Sequence, residues 1–266
     1  MRIWTIANQK GGVGKTTTTV TLGGILASWG LRTLLVDIDP HGSMTSYFRY
    51  DPDSLEHSTY SLFRAKMDKK HIEPAGLIRD TGTDGLYLLP ASMALATLDR
   101  QTGRLEGMGL VLKQTLNSLS DHFDYVLIDC PPMLGVLMVN ALAACERLIM
   151  PVQTEFLALK GLERMLHTLK MILRSQEVAL PYTIVPTFFD RRTKASLDSL
   201  KFLQDTYPEM LWNGVIPVDT KFRESSKAGI PPTLYSPNSH GVLAYGKLLE
   251  FLHNSENTPS GREMVG

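Results

Sequence analysis

The segment KGGVGKTT, residues 10–17, begins just two residues after the apolar run IWTIA, residues 3–7. The apolar run has the composition of a buried strand, and the residues from Lys15 onward have the periodicity of a helix. The pattern therefore predicts a glycine-rich loop between a strand and a helix, which is the geometry of a phosphate-binding loop. The expected ligand is a nucleoside triphosphate.

Each position of the loop has an expected task. The glycines allow the backbone N–H groups to converge on phosphate oxygens at the positive end of a helix dipole. Lys15 is expected to reach the β- and γ-phosphates, Thr16 to bind Mg²⁺ through its hydroxyl, and Thr17 to contact the α-phosphate. The predicted cofactors are ATP and Mg²⁺. The predicted nucleotide-binding residues of the loop are Gly11, Gly12, Val13, Gly14, Lys15, Thr16 and Thr17.

The loop departs from the common GxxxxGK[ST] pattern in two places. Gln9 stands where the first glycine is usual, and Lys10 is an additional lysine. Lys10 lies on the wrong side of the loop to duplicate Lys15, so we expect it to reach the phosphates held by a second copy of the chain. ATP would then join two copies into a homodimer.

Three aspartates lie where predicted strands end. Asp37 and Asp39 close LLVDIDP, residues 34–40, and Asp129 closes YVLID, residues 125–129. Ligands of open α/β sheets lie at such strand ends. Asp39 is the candidate for orienting the attacking water and for binding Mg²⁺, and Asp129 is a second metal candidate with the character of a Walker B carboxylate. A helix cap or turn former is the alternative role for each aspartate taken alone.

The rest of the chain predicts a single α/β domain. Short apolar runs alternate with helix-like segments, which favours a mostly parallel, twisted sheet covered by helices on both faces. The expected strands are 3–7, 33–37, 86–89, 125–129, 148–152, 183–186 and 214–216. The expected helices are 15–28, 105–119, 156–175, 196–206 and 240–253, with 51–83 irregular or short-helical. Residues 1–253 form the expected ATPase domain, and the polar residues 254–266 a disordered tail.

Composition limits the function classes. Lysine plus arginine equals aspartate plus glutamate, at 27 each, so any binding to nucleic acid must come from a local patch. Cys130 and Cys145 lack metal-ligand spacing and are expected to be reduced core residues. No run approaches the ~20 apolar residues of a membrane span. We therefore expect a cytoplasmic protein with no membrane contact.

Together these motifs resemble the ParA/MinD family of deviant Walker A ATPases. The resemblance extends to PVQTEFLALKG, residues 151–161, and to VIP, residues 215–217, with Glu224. It implies that Pro217 and Asp219 lie near the adenine. Gln9 and the DPHG segment resemble the ParA branch, and the tail offers no amphipathic membrane helix of the MinD type. The segments also resemble the ParC-like subgroup, which places chemotaxis arrays at the cell pole.

Two departures from the family pattern stand out. The DPQxN continuation is here DPHGS, with His41 in place of glutamine, and no N-terminal helix-turn-helix is present, so a plasmid repressor role is not expected. The segment FDRRTK, residues 189–194, resembles the DxRTN motif, which assigns DNA contacts to Arg192 with Arg191 and Lys194. Lys160, Arg164, Lys170 and Arg174 lie along one side of a predicted helix and form either an additional basic patch or a solvated helix face.

The resemblance implies an ATP-dependent dimerising switch that positions or segregates intracellular cargo. The cargo would be chemotaxis arrays at the pole, or chromosome or plasmid DNA, and slow hydrolysis would reset the dimer. Its expected partners are non-specific DNA and a stimulating protein, either ParB-like or a polar chemotaxis adaptor. The alternative is a ligase or amidotransferase of the dethiobiotin or cobyrinic acid synthase type. An iron–sulfur reductase is a third alternative, which would need cysteines at a shared cluster.

Overall fold

A computed structural model describes residues 1–100, 107–176 and 180–257. Seven strands alternate with helices along the chain. The strands are β1 (Arg2–Ile6), β2 (Thr33–Asp37), β3 (Arg79–Thr83), β4 (Leu86–Leu89), β5 (Tyr125–Asp129), β6 (Arg147–Gln153) and β7 (Tyr182–Thr187). The helices are α1 (Lys15–Ser28), α2 (Ser43–Tyr47), α3 (Thr59–Met67), α4 (Ala96–Arg100), α5 (Val111–Ser118), α6 (Val136–Ala144), α7 (Phe156–Gln176), α8 (Lys194–Thr206), α9 (Lys221–Ala228), α10 (Pro232–Tyr235) and α11 (His240–Asn257).

All seven strands belong to one sheet, in the order β3-β4-β2-β5-β1-β6-β7. Every pairing is parallel except that of β3 with β4. The phosphate loop leaves β1, which lies between β5 and β6. Because parallel strands end at the same edge, the loops after β1, β2, β5 and β6 lie side by side. This edge carries the candidate site.

The sheet is buried on both faces, as its near-continuous apolar strands predict. Alternate residues of β1 belong to different cores: Ile3 lies in the core that includes residues of α5, α6 and α7, and Trp4 in the core that includes residues of α1 and α11. Helix α1 lies close to the sheet at Gly23, where an added Cβ would come within 2.6 Å of Leu35 Cδ2. The predicted α/β fold, a mostly parallel sheet with helices on both faces, is confirmed.

The predicted strands are found to within a few residues, with two exceptions. Strand β3 was missed, because its sequence RDTGT is half-exposed and lacks an apolar run. The expected strand 214–216 was wrong. Its neighbours Leu211 and Pro217 form only isolated bridges, to Ile184 and Phe189, and Pro217 has no N–H with which to extend a ladder. The N–H of Ile216 donates to the carbonyl oxygen of Pro186 in β7 at 2.8 Å, but no strand forms.

Among the helices, α1, α7 and α8 agree with the prediction to within two residues, and α11 runs four residues past its predicted end. The first turn of the predicted helix 105–119 lies partly outside the described residues, and α5 begins at Val111. Residues 258–266 of the predicted tail also lie outside the described residues. In the part of the chain that the structure describes, no helix has the length and apolarity needed to cross a bilayer.

Candidate nucleotide site

The loop between β1 and α1 has the backbone of a phosphate cradle. Gly12 and Gly14 have positive φ angles of 74° and 92°, a region that glycine occupies without steric cost. Gly14 immediately precedes the first residue of α1, so the free N–H groups of the first helical turn face the concave side of the loop. Thr187 at the end of β7 holds the loop from the other side, because its hydroxyl donates to the carbonyl oxygen of Val13 at 2.9 Å.

Lys15 points back across this loop. Its ammonium donates to the carbonyl oxygen of Lys10 at 3.2 Å, and the residue is only 7% exposed. Burial lowers the pKa of Lys15, because desolvation disfavours the charged form, while Asp129 and Asp39 oppose that shift. A phosphate group in the loop would supply the negative charge that this partly desolvated ammonium lacks.

Thr16 and Asp129 meet where Mg²⁺ is expected. The Thr16 hydroxyl donates to Asp129 Oδ2 at 2.6 Å, and Asp129 Oδ1 is buried with no hydrogen-bond partner among the described residues. Burial raises the pKa of Asp129, and the nearby Asp37 raises it further. A hard divalent cation with oxygen ligands would satisfy the buried oxygen and neutralise the charge. These two side chains therefore fit a magnesium ion whose other ligands are phosphate oxygens and water.

The two aspartates of the β2 end have different environments. Asp37 is fully buried, and its Oδ2 accepts from both the N–H and the hydroxyl of Thr45 at 2.8 Å. Its other oxygen accepts from the N–H of Asp39 at 3.1 Å. Burial raises the pKa of Asp37, against the opposing hydrogen bonds from Thr45. Asp37 therefore holds the start of the following loop, and its oxygens are already engaged.

Asp39 is the aspartate that faces the open site. Its Oδ1 accepts from the backbone N–H of His41 at 3.0 Å and lies 2.9 Å from His41 Nδ1. The Asp39 side chain is 14% exposed and that of His41 is 79% exposed. The histidine that replaces glutamine in the family pattern thus contacts the proposed catalytic carboxylate directly.

Two adjoining cavities lie along the loop. The first, of about 540 Å³, is lined by Gly11, Gly12, Gly14, Lys15, Thr16, Thr17, Asp39, His41, Ser43, Tyr47, Pro132, Phe188 and Ser226. The structure thus brings most of the predicted phosphate-binding residues together, while Val13 is fully buried beneath them. The second, of about 560 Å³, shares Gly12, Gly14, Thr17, Phe188 and Ser226 with the first. We call them the phosphate cavity and the base cavity.

Pro217 and Asp219, the residues expected near the adenine, both line the base cavity. Asp219 accepts from the N–H groups of Lys221 and Gly241, each at 2.9 Å, and so ties the start of α9 to the start of α11. The rings of Phe222 and Tyr245 meet edge to face at a centroid distance of 5.7 Å and complete the wall. An apolar, aromatic slot of this kind suits a nucleobase.

Lys10 lines neither of these two cavities of the described structure. Its ammonium is paired with Glu155 Oε1 at 2.6 Å, and both side chains are roughly one-third exposed, at 28% and 39%. Its backbone is fixed by Asn8, whose amide oxygen accepts the Lys10 N–H at 3.1 Å. Gly161 of α7 lets this side chain lie close, since an added Cβ would come within 3.1 Å of Lys10 Cβ.

The predicted DNA contacts lie in the loop between β7 and α8. Arg191, Arg192 and Lys194 are all exposed. Arg192 is held by Asp190 through two side-chain hydrogen bonds of 2.9 and 2.8 Å, and this pairing lowers the pKa of Asp190 to about 2.

The second predicted basic patch lies on α7. Lys160 pairs with Glu163 at 2.9 Å, while Arg164 and Lys170 are exposed. The side chain of Arg174 lies outside the described residues. The α7 patch is thus partly neutralised within its own helix.

Several residues of the site were not predicted from the sequence. Tyr47, Phe188 and Ser226 line the cavities, and Glu155 was noted only as part of a motif. Phe188 has a φ of 52°, which is unusual for an aromatic residue and fits a functional loop. No local sequence signal marks it, because its position depends on the packing of β7 against the loop.

Neither of the two cysteines lines the phosphate cavity or the base cavity. Cys130 is fully buried, Cys145 caps the end of α6, and burial raises the pKa of both thiols. In the described ranges, no cluster of three or more histidine, cysteine, aspartate or glutamate side chains could hold a metal ion.

Comparison with known proteins agrees with this geometry. The family model of an AAA domain matches residues 1–181. The sporulation initiation inhibitor protein Soj of Bacillus subtilis is 35% identical over 245 residues, covering 92% of this chain and 95% of its own. The chain belongs to the ParA/Soj family. The chromosome partitioning protein ParA of Caulobacter vibrioides is 34% identical over 251 residues, covering 93% of this chain and 92% of its own.

Solved structures extend the ParA/Soj comparison to bound ligands. A protein from Mycobacterium smegmatis described as cobyrinic acid a,c-diamide synthase has a TM-score of 0.80 and 34% identity, covering 99% of this chain and 98% of its own. It has been solved with an ATP analogue and magnesium, and with ADP and magnesium. The fold inferred from the sequence is that of this neighbour, and the cofactors inferred from the sequence, ATP and Mg²⁺, agree with the ligands bound in it.

Proposed function

We propose that this chain is a Mg²⁺-dependent ATPase that acts as a dimerising switch in the positioning or segregation of cargo. In this proposal ATP binding joins two copies, the dimer engages DNA or a polar partner, and slow hydrolysis returns monomers. The relatives named for chromosome partitioning favour chromosome or plasmid DNA as the cargo. A chemotaxis array at the cell pole is the alternative cargo, and in either case the protein would act in the cytoplasm.

One observation carries the proposal. Lys10 flanks the phosphate loop but turns away from its own phosphate cavity, onto Glu155 at the surface. An ammonium in that place has no phosphate to bind within its own chain, whereas the phosphates of a second copy facing this edge would lie in front of it. Charge-assisted hydrogen bonds to phosphate are strong enough to make such a contact decisive for association.

Exposed apolar side chains in the loops beside Lys10 favour an interface with a second copy of the chain. Met133 and Leu134 after β5 are 65% and 45% exposed, and Phe156 and Leu157 after β6 are 67% and 66% exposed. Apolar side chains exposed together at one sheet edge indicate an interaction surface. The contact of Lys10 with the partner's nucleotide and the burial of these apolar side chains would then both stabilise the dimer.

The reaction follows from the arrangement of the site. Lys15 and the loop N–H groups would hold the phosphates, and Thr16 with Asp129 would hold magnesium, which supplies charge neutralisation at the γ-phosphate when bound. Asp39 would accept a hydrogen bond from the attacking water and orient it. Asp37 would keep Asp39 in place by accepting a hydrogen bond from the backbone N–H of Asp39. Phosphoryl transfer requires little beyond this positioning and charge stabilisation.

DNA binding would use exposed cations at the β7–α8 loop. Arg191, Arg192 and Lys194 would contact phosphates and not bases, so binding should be non-specific and sensitive to salt. A dimer would present two copies of the patch. A stimulating protein partner, either ParB-like or a polar adaptor, would accelerate hydrolysis.

The second candidate function is carboxylate activation by a synthase, which is favoured by the description of the M. smegmatis neighbour. An amidotransferase of this type needs a nucleophilic cysteine to release ammonia, whereas Cys130 is buried, Cys145 is partly buried, and neither lines the two cavities of the site. The test is phosphate release from ATP–Mg²⁺ with no carboxylate substrate present. Release by the wild type, abolished in Asp39→Ala and Lys15→Ala, supports the switch, and release only when a carboxylate acceptor is added supports the synthase.

A further inference from the structure

Tyr47 ends the short helix that follows the catalytic loop. The residue is 7% exposed, and its hydroxyl donates to the carbonyl oxygen of Ile230 at 2.8 Å. The same hydroxyl lies 3.1 Å from Ser225 Oγ on α9. Tyr47 is 178 residues from Ser225 in sequence, so these contacts join two distant parts of the chain.

Arg49 makes a second connection to the same helix. Its guanidinium donates to the carbonyl oxygen of Lys227 in the last turn of α9. The two segments touch at Gly229, where an added Cβ would lie 2.9 Å from Arg49 Nε and 3.2 Å from the Tyr47 carbonyl oxygen. Gly229 also has a φ of 75°, so this close approach and this backbone conformation both favour glycine.

The other end of α2 is attached to the carboxylates of the site. Helix α2 begins at Ser43, four residues after Asp39. Thr45, in the middle of α2, donates twice to Asp37, and Asp37 accepts the N–H of Asp39. A shift of α2 would therefore be transmitted to the loop that holds Asp39.

Helix α9 in turn forms one wall of the base cavity. Phe222, Arg223 and Ser226 line that cavity, and Ser226 also lines the phosphate cavity. The Ser225 hydroxyl, which contacts Tyr47, donates to the carbonyl oxygen of Phe222 at 3.0 Å. A base that fills the cavity would contact α9 on one side, while Tyr47 contacts it on the other.

We propose that Tyr47 is a positioning residue that couples occupation of the base cavity to the placement of Asp39 at the γ-phosphate. The proposal rests on the ATPase function proposed above. Filling the base cavity fixes α9, the bonds of Tyr47 fix α2 against it, and α2 fixes the Asp39 loop. Hydrolysis is then fast only when the triphosphate carries a base, which makes Tyr47 a determinant of substrate specificity without any contact with the base.

The test compares two substrates in two variants. ATP and inorganic tripolyphosphate share the chain of three phosphates, but only ATP has a base. Maximal hydrolysis rates at saturating substrate are measured for the wild type, Tyr47→Phe and Ser225→Ala. The matched control is Tyr50→Phe, which loses a hydroxyl that donates to the carbonyl oxygen of Asp80 at 2.7 Å. Among the residues that the structure describes, this hydroxyl has no hydrogen bond to α9. Thermal unfolding confirms that each variant is folded.

We expect the wild type to hydrolyse ATP at least ~10-fold faster than tripolyphosphate, because base binding orders the site. Ser225→Ala, whose side chain lines neither cavity, should lower the ATP rate toward the tripolyphosphate rate and leave the latter within about twofold. Tyr47→Phe should lower the ratio of the ATP rate to the tripolyphosphate rate in the same direction. Tyr50→Phe should change neither rate.

Two results would overturn the coupling. One is equal wild-type rates on both substrates. The other is an unchanged ratio of the two rates in Tyr47→Phe and Ser225→Ala, whether neither rate falls or both fall equally, which marks a purely local role. A wild type that hydrolyses neither substrate refutes the ATPase function itself. A Tyr47→Phe that fails to fold leaves Ser225→Ala to decide, because this substitution removes the hydroxyl on the α9 side of the contact.

Discussion

Glu155 should restrain dimerisation, because it holds Lys10 in the single chain. The pair is roughly one-third exposed, and exposed ion pairs contribute about 0.2–1 kcal/mol. Two such pairs must break when two copies exchange Lys10 contacts, which amounts to about 0.4–2 kcal/mol in the dimer. Glu155→Gln should therefore tighten ATP-dependent dimerisation by roughly 2–30-fold.

The measurement is a dilution series by light scattering or sedimentation, with ATP–Mg²⁺ and in the Asp39→Ala background to prevent hydrolysis. Glu163→Gln is the matched control, because Glu163 pairs with Lys160 on the same helix at similar exposure. Lys10→Ala should bind ATP as a monomer and fail to dimerise. An unchanged or weaker dimer in Glu155→Gln would refute the restraint, and a Lys10→Ala protein that still dimerises would refute the role of Lys10.

Three further predictions concern the loop, the metal site and the basic patch. Lys15→Ala should weaken ATP binding by roughly 10–150-fold, from the loss of charged hydrogen bonds worth about 1.5–3 kcal/mol, and unaltered calorimetric affinity would count against the loop geometry. Because burial raises the pKa of Asp129, binding of ATP–Mg²⁺ at pH 7 should release up to about one proton. Calorimetry in two buffers of different ionisation enthalpy should show that release in the wild type and not in Asp129→Asn. Arg192→Glu should weaken DNA binding of the dimer and lower its salt slope by about 2, since two phosphate contacts are lost, with ATPase intact. Its control is Arg64→Glu, another exposed arginine paired with an aspartate, and equal DNA binding by both variants would remove Arg192 from the interface.

The parts of the site that the sequence predicted are those whose information is local. The phosphate loop is eight consecutive residues between a strand and a helix, so its function follows from spacing alone. The strand-end aspartates follow from the rule that parallel strands end at one edge, and the structure places Asp129 against Thr16 as that rule implies. The Pro217 and Asp219 positions came from resemblance and needed the family pattern.

The parts that the sequence did not predict depend on contacts between distant residues. The Lys10–Glu155 pair joins residues separated by 145 positions, and no periodicity encodes which carboxylate an exposed lysine will reach. Tyr47 looks like an ordinary core aromatic until α9 is packed against it. Strand β3 pairs through its backbone with only half-buried side chains, so its segment lacks the apolar alternation on which strand prediction relies.

The proposed function requires ATP to join two copies of this chain into a DNA-binding dimer. The most direct measurement is light scattering of the Asp39→Ala protein with ADP and with ATP–Mg²⁺, run alongside a salt-titrated DNA-binding assay. We expect a monomer with ADP, a dimer with ATP–Mg²⁺, and salt-sensitive DNA binding only by the dimer. A protein that stays monomeric with ATP–Mg²⁺ would refute the dimerising switch and favour the synthase. A dimer that does not bind DNA would indicate a protein partner at the pole instead of DNA.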